Sequence, residues 1–184
     1  MINRDEAFEL FEEYLKDDKI IKHSMAVEAI MIKMAIKLDE NETLWGLTGL
    51  LHDLDYDYTH GDPQNHANVT AKILDGLLPK SSVNAIKAHN FIHTNHSPTT
   101  IFDKTLIAAD AISGLIIATA LVMPTKKLSE VELKTLLKKF KDKSFAKGCN
   151  RNKIKLCIDA GIKQELFFEL SLNALKEISD KLDL

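Results

Sequence analysis

Two cysteines, Cys149 and Cys157, in 184 residues leave no material for a disulfide framework. Such sparse thiols fit a reducing compartment, so the expected location is cytoplasmic. Turn residues are scarce as well. Seven glycines and four prolines fall below their usual combined share of about 12%, which argues for long helices joined by short connections. A large charge of one sign is also missing. Lys and Arg number 24 against 27 Asp and Glu, a net of −3, and this balance argues against a generally basic nucleic-acid binder. The N-terminal MINRDEAFELFEEYLKDD has no uninterrupted apolar region and does not read as a signal peptide. One long hydrophobic run remains, TLIAADAISGLIIATALVM at 105–123, with Asp110 as its single charge. A spanning helix needs about 20 apolar residues, and a central Asp costs about 2.5–3.5 kcal/mol on insertion scales. The run is therefore expected to be a buried helix with no membrane partner, and Asp110 then requires a physical reason.

What is present is helical patterning. Ala7, Phe8, Phe11 and Leu15 recur at helical spacing over 4–16, as do Ile21, Ala26, Ile30, Met34 and Leu38 over 20–38. A helix is expected over 43–51, ending at His52-Asp53, followed by the polar loop LDYDYTHGD at 54–62. Asp62-Pro63 reads as an N-cap and first helical residue, opening a helix to Leu78 with His66 in its first turn. Residues 82–94 form a further helix with His89 and His93 one turn apart, and 101–123 the long apolar one. Ser129 with Glu132 three residues on reads as a capping box for a helix to Phe140. Helices over 151–160 and 163–182, broken at Gly161, complete the chain. No period-two pattern stands out. The expected fold is all-α, a single domain over 1–184 built as a bundle of about eight helices, with a chemical core at 20–116 and a helical C-terminal part at 125–184.

All seven histidines, His23, His52, His60, His66, His89, His93 and His96, lie between 23 and 96. His52-Asp53 ends an apolar helix, and imidazole beside carboxylate is a ligand pair for Zn, Mn or Fe. Adjacent helical residues diverge by about 100°, so both reach one ion only near a helix end or with a bridging carboxylate. An ionised Asp110 in an apolar helix is costly unless paired or bound to metal. A cation held by several helices accounts for Asp110 and the histidines together.

With His23 in IIKHSMAVEAI, His52-Asp53 in GLLHDLDYD and Asp110 in LIAADAISGLI, the sequence resembles the HD superfamily of metal-dependent phosphohydrolases. The resemblance implies that His23, His52, Asp53 and Asp110 ligate a first divalent metal, of the Mn, Fe, Zn, Co or Mg class. Some members hold a second metal through two intervening histidines, with the Asp of the pair bridging. His66 in PQNHANVTA and His89 in AIKAHNFIH stand in suitable order, either as those ligands or as pocket lining. Asp53, with His52, is expected to carry the catalysis by orienting metal-activated water. Asp57, His60 or His93 stand as acid–base candidates or as solvated residues. The Gly-Tyr-Pro element of cyclic-dinucleotide phosphodiesterases is absent, with Asn at 90, and the HDxxE pattern of nucleotidase branches is broken by Tyr56. The substrate class stays open between a small phosphorylated metabolite and a nucleotide, cleaved as a monoester or a diester.

A basic run spans 126–155, with eleven bases against three acids for a local net of +8. Such a patch steers anions towards a site. Within it, FAKGCNRN resembles the C-terminal part of a compact bacterial branch of HD hydrolases, and Lys147 and Arg151 are the expected substrate-phosphate contacts at a loop-to-helix junction. The two cysteines read as free structural thiols. Three rival readings remain on the same scaffold: a ligand-sensing domain without catalysis, a nucleic-acid-binding module using the basic run, and a di-iron oxygenase. The oligomeric state has no sequence signal.

Overall fold

The computed structural model describes residues 1–184 and has no β-strand. In chain order the helices are α1 (Arg4–Tyr14), α2 (Asp18–Leu38), α3 (Glu42–Leu51), α4 (Tyr56–Thr59), α5 (Asn68–Ile73), α6 (Lys80–His89), α7 (Phe91–Thr94), α8 (Ile101–Leu121), α9 (Leu133–Lys141), α10 (Arg151–Asp159), α11 (Gln164–Glu177) and α12 (Ser179–Leu182). Eight have seven or more residues, as the patterning predicts. Polar side chains set several starts by accepting orphan N–H groups: Asn3 for α1, Asp17 for α2, Asn41 for α3, Thr100 for α8 and Asn150 for α10.

The two longest helices, α2 and α8, pack on each other and organise the rest. Helix α3 and α11 lie against α2, while α6, α9 and α10 lie against α8. The approach of α3 to α2 depends on glycine. A Cβ on Gly46 would fall 2.8 Å from Ile32 Cγ1, and one on Gly49 would fall 3.0 Å from the Val27 carbonyl oxygen. These bare backbones let the end of α3, and hence His52, come up to His23 on α2. Helix α8 is long and apolar enough to cross a membrane by length and composition, yet 67% of its most apolar window is buried within the bundle. A single cluster of 43 buried residues runs from Ala7 to Leu182, drawing on both halves of the chain.

Three local expectations change. The helix expected to open at Asp62-Pro63 is delayed to Asn68. Asp62 closes a turn instead, accepting from Asn65 N–H at 3.3 Å and from Asn65 Nδ2 at 2.6 Å, and Ala67 at φ 70° interrupts any helix there. His66 therefore precedes its helix. The helix expected over 82–94 breaks at Asn90, whose side-chain amide donates to the carbonyls of Pro63 (2.7 Å) and His66 (3.0 Å). The Ser129–Glu132 capping box does not form. Residues Leu128–Glu130 are a 3-10 turn, Glu130 accepts from Thr125 N–H at 3.0 Å, and α9 starts after Glu132 without a side-chain cap.

Candidate metal centre

Five segments bring His23 (α2), His52 and Asp53 (end of α3), His66 (ahead of α5), His89 (last residue of α6) and Asp110 (middle of α8) to one place. Asp53 is the hub. Its Oδ1 lies 3.4 Å from His52 Nε2, 3.4 Å from His66 Nε2 and 3.2 Å from His89 Nε2, and its Oδ2 lies 3.7 Å from His23 Nε2. Asp110 Oδ1 lies 3.3 Å from His23 Nε2. Two triads share Asp53, one with His23 and His52 and one with His66 and His89, and within each the donor atoms lie within 4.8 Å of one another.

Each imidazole is anchored through its other nitrogen, and the anchors assign the tautomers. His52 Nδ1 donates to the Gly49 carbonyl at 2.8 Å and His89 Nδ1 to the Ile86 carbonyl at 2.5 Å. Both histidines sit at helix C-terminal ends, where carbonyls lack intrahelical donors. The Ser113 hydroxyl donates to the Asp110 carbonyl (2.8 Å), so His23 Nδ1–H donates to Ser113 Oγ at 3.1 Å. His66 Nδ1 donates to Asp55 Oδ1 at 2.8 Å, and the other Asp55 oxygen accepts from Thr70 N–H at 2.9 Å. In the neutral form, every Nε2 then turns a bare lone pair inward. His66 and His89 face each other Nε2 to Nε2 at 3.0 Å, and His52 Nε2 and Asp53 Oδ1 are buried without a hydrogen-bond partner. A buried acceptor with no donor is costly, and lone pairs opposed at this distance repel. Divalent cations at the two triads would satisfy them, and Nδ1-anchored imidazoles with bare Nε2 atoms are the usual metal-ligand arrangement. The donor set fits the group.

Electrostatics follow this geometry. Burial and neighbouring positive imidazoles, against the pull of Asp53, push His52 down to about 4. Burial opposes ionisation of Asp53, but His52, His89 and His66 hold its carboxyl well below the usual carboxylate range. Asp110 is also held down, by His23 and His52 against burial. His23 and His66 are raised. Burial lowers them, but Asp110 and Asp53 around His23, and Asp55 and Asp53 around His66, outweigh it.

Asp110 departs from expectation in one respect. Its side chain is 22% exposed and lines a cavity of about 440 Å³ together with His23, Asn90, His93, Cys149 and Lys153. The carboxylate is at a cavity wall, not sealed in the core. Arg151 and Lys147, the expected substrate contacts, take different places in the structure. The Arg151 guanidinium donates to six backbone carbonyls, those of Lys139, Phe140, Asp142, Phe145, Ala146 and Cys149, at 2.6–3.4 Å. Its donors are saturated, so it fastens the loop between α9 and α10. Lys147 is exposed on that loop and does not line the cavity. Asp57 caps the α1–α2 junction by accepting from Lys16 N–H at 2.7 Å, and His60 is exposed beside Tyr56. His93 alone among the acid–base candidates lines the cavity. Both cysteines are free thiols, and burial pushes Cys157 up to about 12.

Sequence reasoning missed the residues behind the ligands. Asp55 reads as part of a polar loop but is fully buried as the His66 anchor. Its usable signal is position, two residues after Asp53. Ser113 and the glycines of α3 carry no chemical signal at all.

A helical bundle with paired His/Asp triads around one carboxylate is an arrangement that can hold divalent metal ions. The HD domain model matches residues 20–115, and the chain belongs to the HD domain family. That family is one of metal-dependent phosphohydrolases. The curated relatives include proteins named Ribonuclease Y that match over 96 residues, 52% of this chain, among them those of Acholeplasma laidlawii (30% identical), Bacillus licheniformis (32%) and Chloroflexus aurantiacus (33%). The match spans only 18% of each relative's length. No solved structure matches.

Proposed function

We propose that the chain is a phosphohydrolase that cleaves a small phosphate ester, a phosphorylated metabolite or nucleotide, with His23, His52, Asp53 and Asp110 holding one divalent cation and His66 and His89 holding a second across the shared Asp53. The observation that carries this reading is the buried Asp53 Oδ1 with no donor, surrounded by bare Nε2 atoms. When bound, the cations supply charge neutralisation at the phosphoryl oxygens and acidify water for attack. The imidazole-rich donor set suits Mn, Fe, Co or Zn better than Mg.

The chain's own groups do the rest. The four Nδ1 anchors hold the rings at fixed angles. Asp53 and Asp110 stay ionised, which keeps negative charge where cations and water gather. His93, at the cavity wall, is placed to give a proton to the departing oxygen. Elemental analysis of the purified protein, followed by a phosphate-release screen over nucleotides, cyclic nucleotides and sugar phosphates with added Mn²⁺, Co²⁺, Zn²⁺ or Mg²⁺, tests the reading. Close to two transition-metal ions per chain and release from at least one ester class are expected. A metal-free protein that also fails to take up added metal would falsify it.

A further inference from the structure

Of the eleven bases between 126 and 155, the one that lines the cavity beside His23 and Asp110 is Lys153. It is the third residue of α10, and its Nζ donates to the His89 carbonyl at 3.1 Å. His89 ends α6, so the ammonium rests where the helix leaves its partial negative charge. This perch occupies one of the three N–H donors, and its acceptor is a neutral carbonyl, not a carboxylate. The cation is thus held within one residue of the metal-binding cluster while keeping donors to offer.

The scaffold beneath it is stiff. Arg151, two residues earlier on the same helix, fastens the 139–149 backbone through its six carbonyl contacts, and Asn150 caps α10 by accepting from the N–H groups of Asn152 and Lys153. On the facing side, Gly114 of α8 lets that loop approach, since a Cβ there would lie 3.2 Å from Cys149 Sγ. The cavity therefore has a wall carrying His23 and the Asp110 carboxylate and a rim carrying one ammonium. With a cation held at His23 and Asp110, a phosphoryl group would have positive charge on both sides, the metal at the wall and the ammonium opposite.

We propose that Lys153 is the substrate-phosphoryl contact of this site and that Arg151 positions it. The inference rests on the phosphohydrolase reading for the location of the reacting group. It also gives a role to the C-terminal part of the chain, which lies beyond the 20–115 match to the family.

The test is calorimetric titration of the Mn²⁺-loaded full-length chain with inorganic phosphate, using wild type, Lys153→Met, Lys153→Arg and Lys147→Met, with bound Mn measured for each. Loss of one charge-assisted hydrogen bond weakens binding about tenfold to a hundredfold, and this is expected for Lys153→Met at unchanged Mn content. Lys153→Arg is expected to keep most of the affinity, and Lys147→Met all of it. On any ester the wild type hydrolyses, Lys153→Met raises KM more than it lowers kcat. Equal phosphate affinity in wild type and Lys153→Met overturns the assignment, as does a wild type that binds no phosphate. Loss of Mn from Lys153→Met also overturns it, because the lysine would then be supporting His89. Phosphate binding through Lys153 with no hydrolysis of any ester leaves the contact standing and removes the phosphohydrolase reading. Hydrolysis indifferent to Lys153 does the reverse.

Discussion

The two halves of the molecule treat their charged side chains in opposite ways. Between 23 and 110, imidazoles and carboxylates point their unsatisfied atoms at one another, and backbone carbonyls, Ser113 and Asp55 serve them as anchors. Between 139 and 155, the most conspicuous cation does the contrary: Arg151 serves the backbone, and its fork is closed by carbonyls. A functional group is identified by what its hydrogen-bonding capacity leaves over. His52 Nε2 and Asp53 Oδ1 have capacity left and no partner, whereas Arg151 has none left. Lys153 falls on the first side of that line and Lys147 in open solvent.

The contrast is broken most severely at Asp53. Asp53→Asn keeps the shape but removes the one negative charge shared by the two triads, and hydrolysis is expected to fall to background together with metal content, read by elemental analysis and phosphate release. An active, fully loaded Asp53→Asn would put the chemistry elsewhere. Arg151→Ala is expected to act through stability instead. Stranding several carbonyls costs about 2–4 kcal/mol, or about 5–15 °C in the thermal midpoint for a chain of this size, measured by calorimetry with bound metal per folded chain unchanged. Arg151→Lys should recover little, because an ammonium lacks the planar fork. A thermally silent Arg151→Ala would return that residue to the ligand side.

Asp55→Asn sharpens the comparison within the first half. It keeps an oxygen near His66 Nδ1 but removes the charge that orients the ring, and loss of such an anchor typically weakens metal binding about 10–100-fold. One ion per chain should become weak while the other is retained, visible as two steps in a metal titration where the parent shows tight uptake of both. The mildest probe is pH. His23 and His66 are raised above their ordinary value of 6.5 by Asp110, Asp53 and Asp55, so without metal they hold protons to a higher pH than a free imidazole. Cations must displace those protons from Nε2. Affinity is therefore expected to fall as pH drops through and below the raised values, by about tenfold per pH unit for each proton displaced, and metal addition in weak buffer should release acid. Uptake that is flat across this range would mean that the Nε2 atoms are not the ligands.

Legibility in the sequence follows the range of the interactions involved. Helix α2 is plain because its apolar periodicity runs for 21 residues, and α8 because its apolar run is as long. The ligand residues are plain because few groups bind cations and because His52-Asp53 and Asp110 interrupt apolar helices. Local capping rules fail where a side chain has a competing partner. Asp62 closes a turn on Asn65, and Glu130 bonds to Thr125, so neither the helix at 63 nor the box at 129 forms. Arg151 is the hardest case, because nothing in FAKGCNRN distinguishes a guanidinium facing a phosphate from one facing six carbonyls. Only the path of the 139–149 backbone decides it, and that path is a tertiary property.

The donors converging on Asp53 enter the chain as early as His23 and as late as Asp110. A metal bound across points so far apart would favour the folded chain, because those points come together only there and the binding free energy is then added to folding. Loaded with metal, the cluster would thereby also tie distant parts of the fold together, in a protein whose two thiols are free.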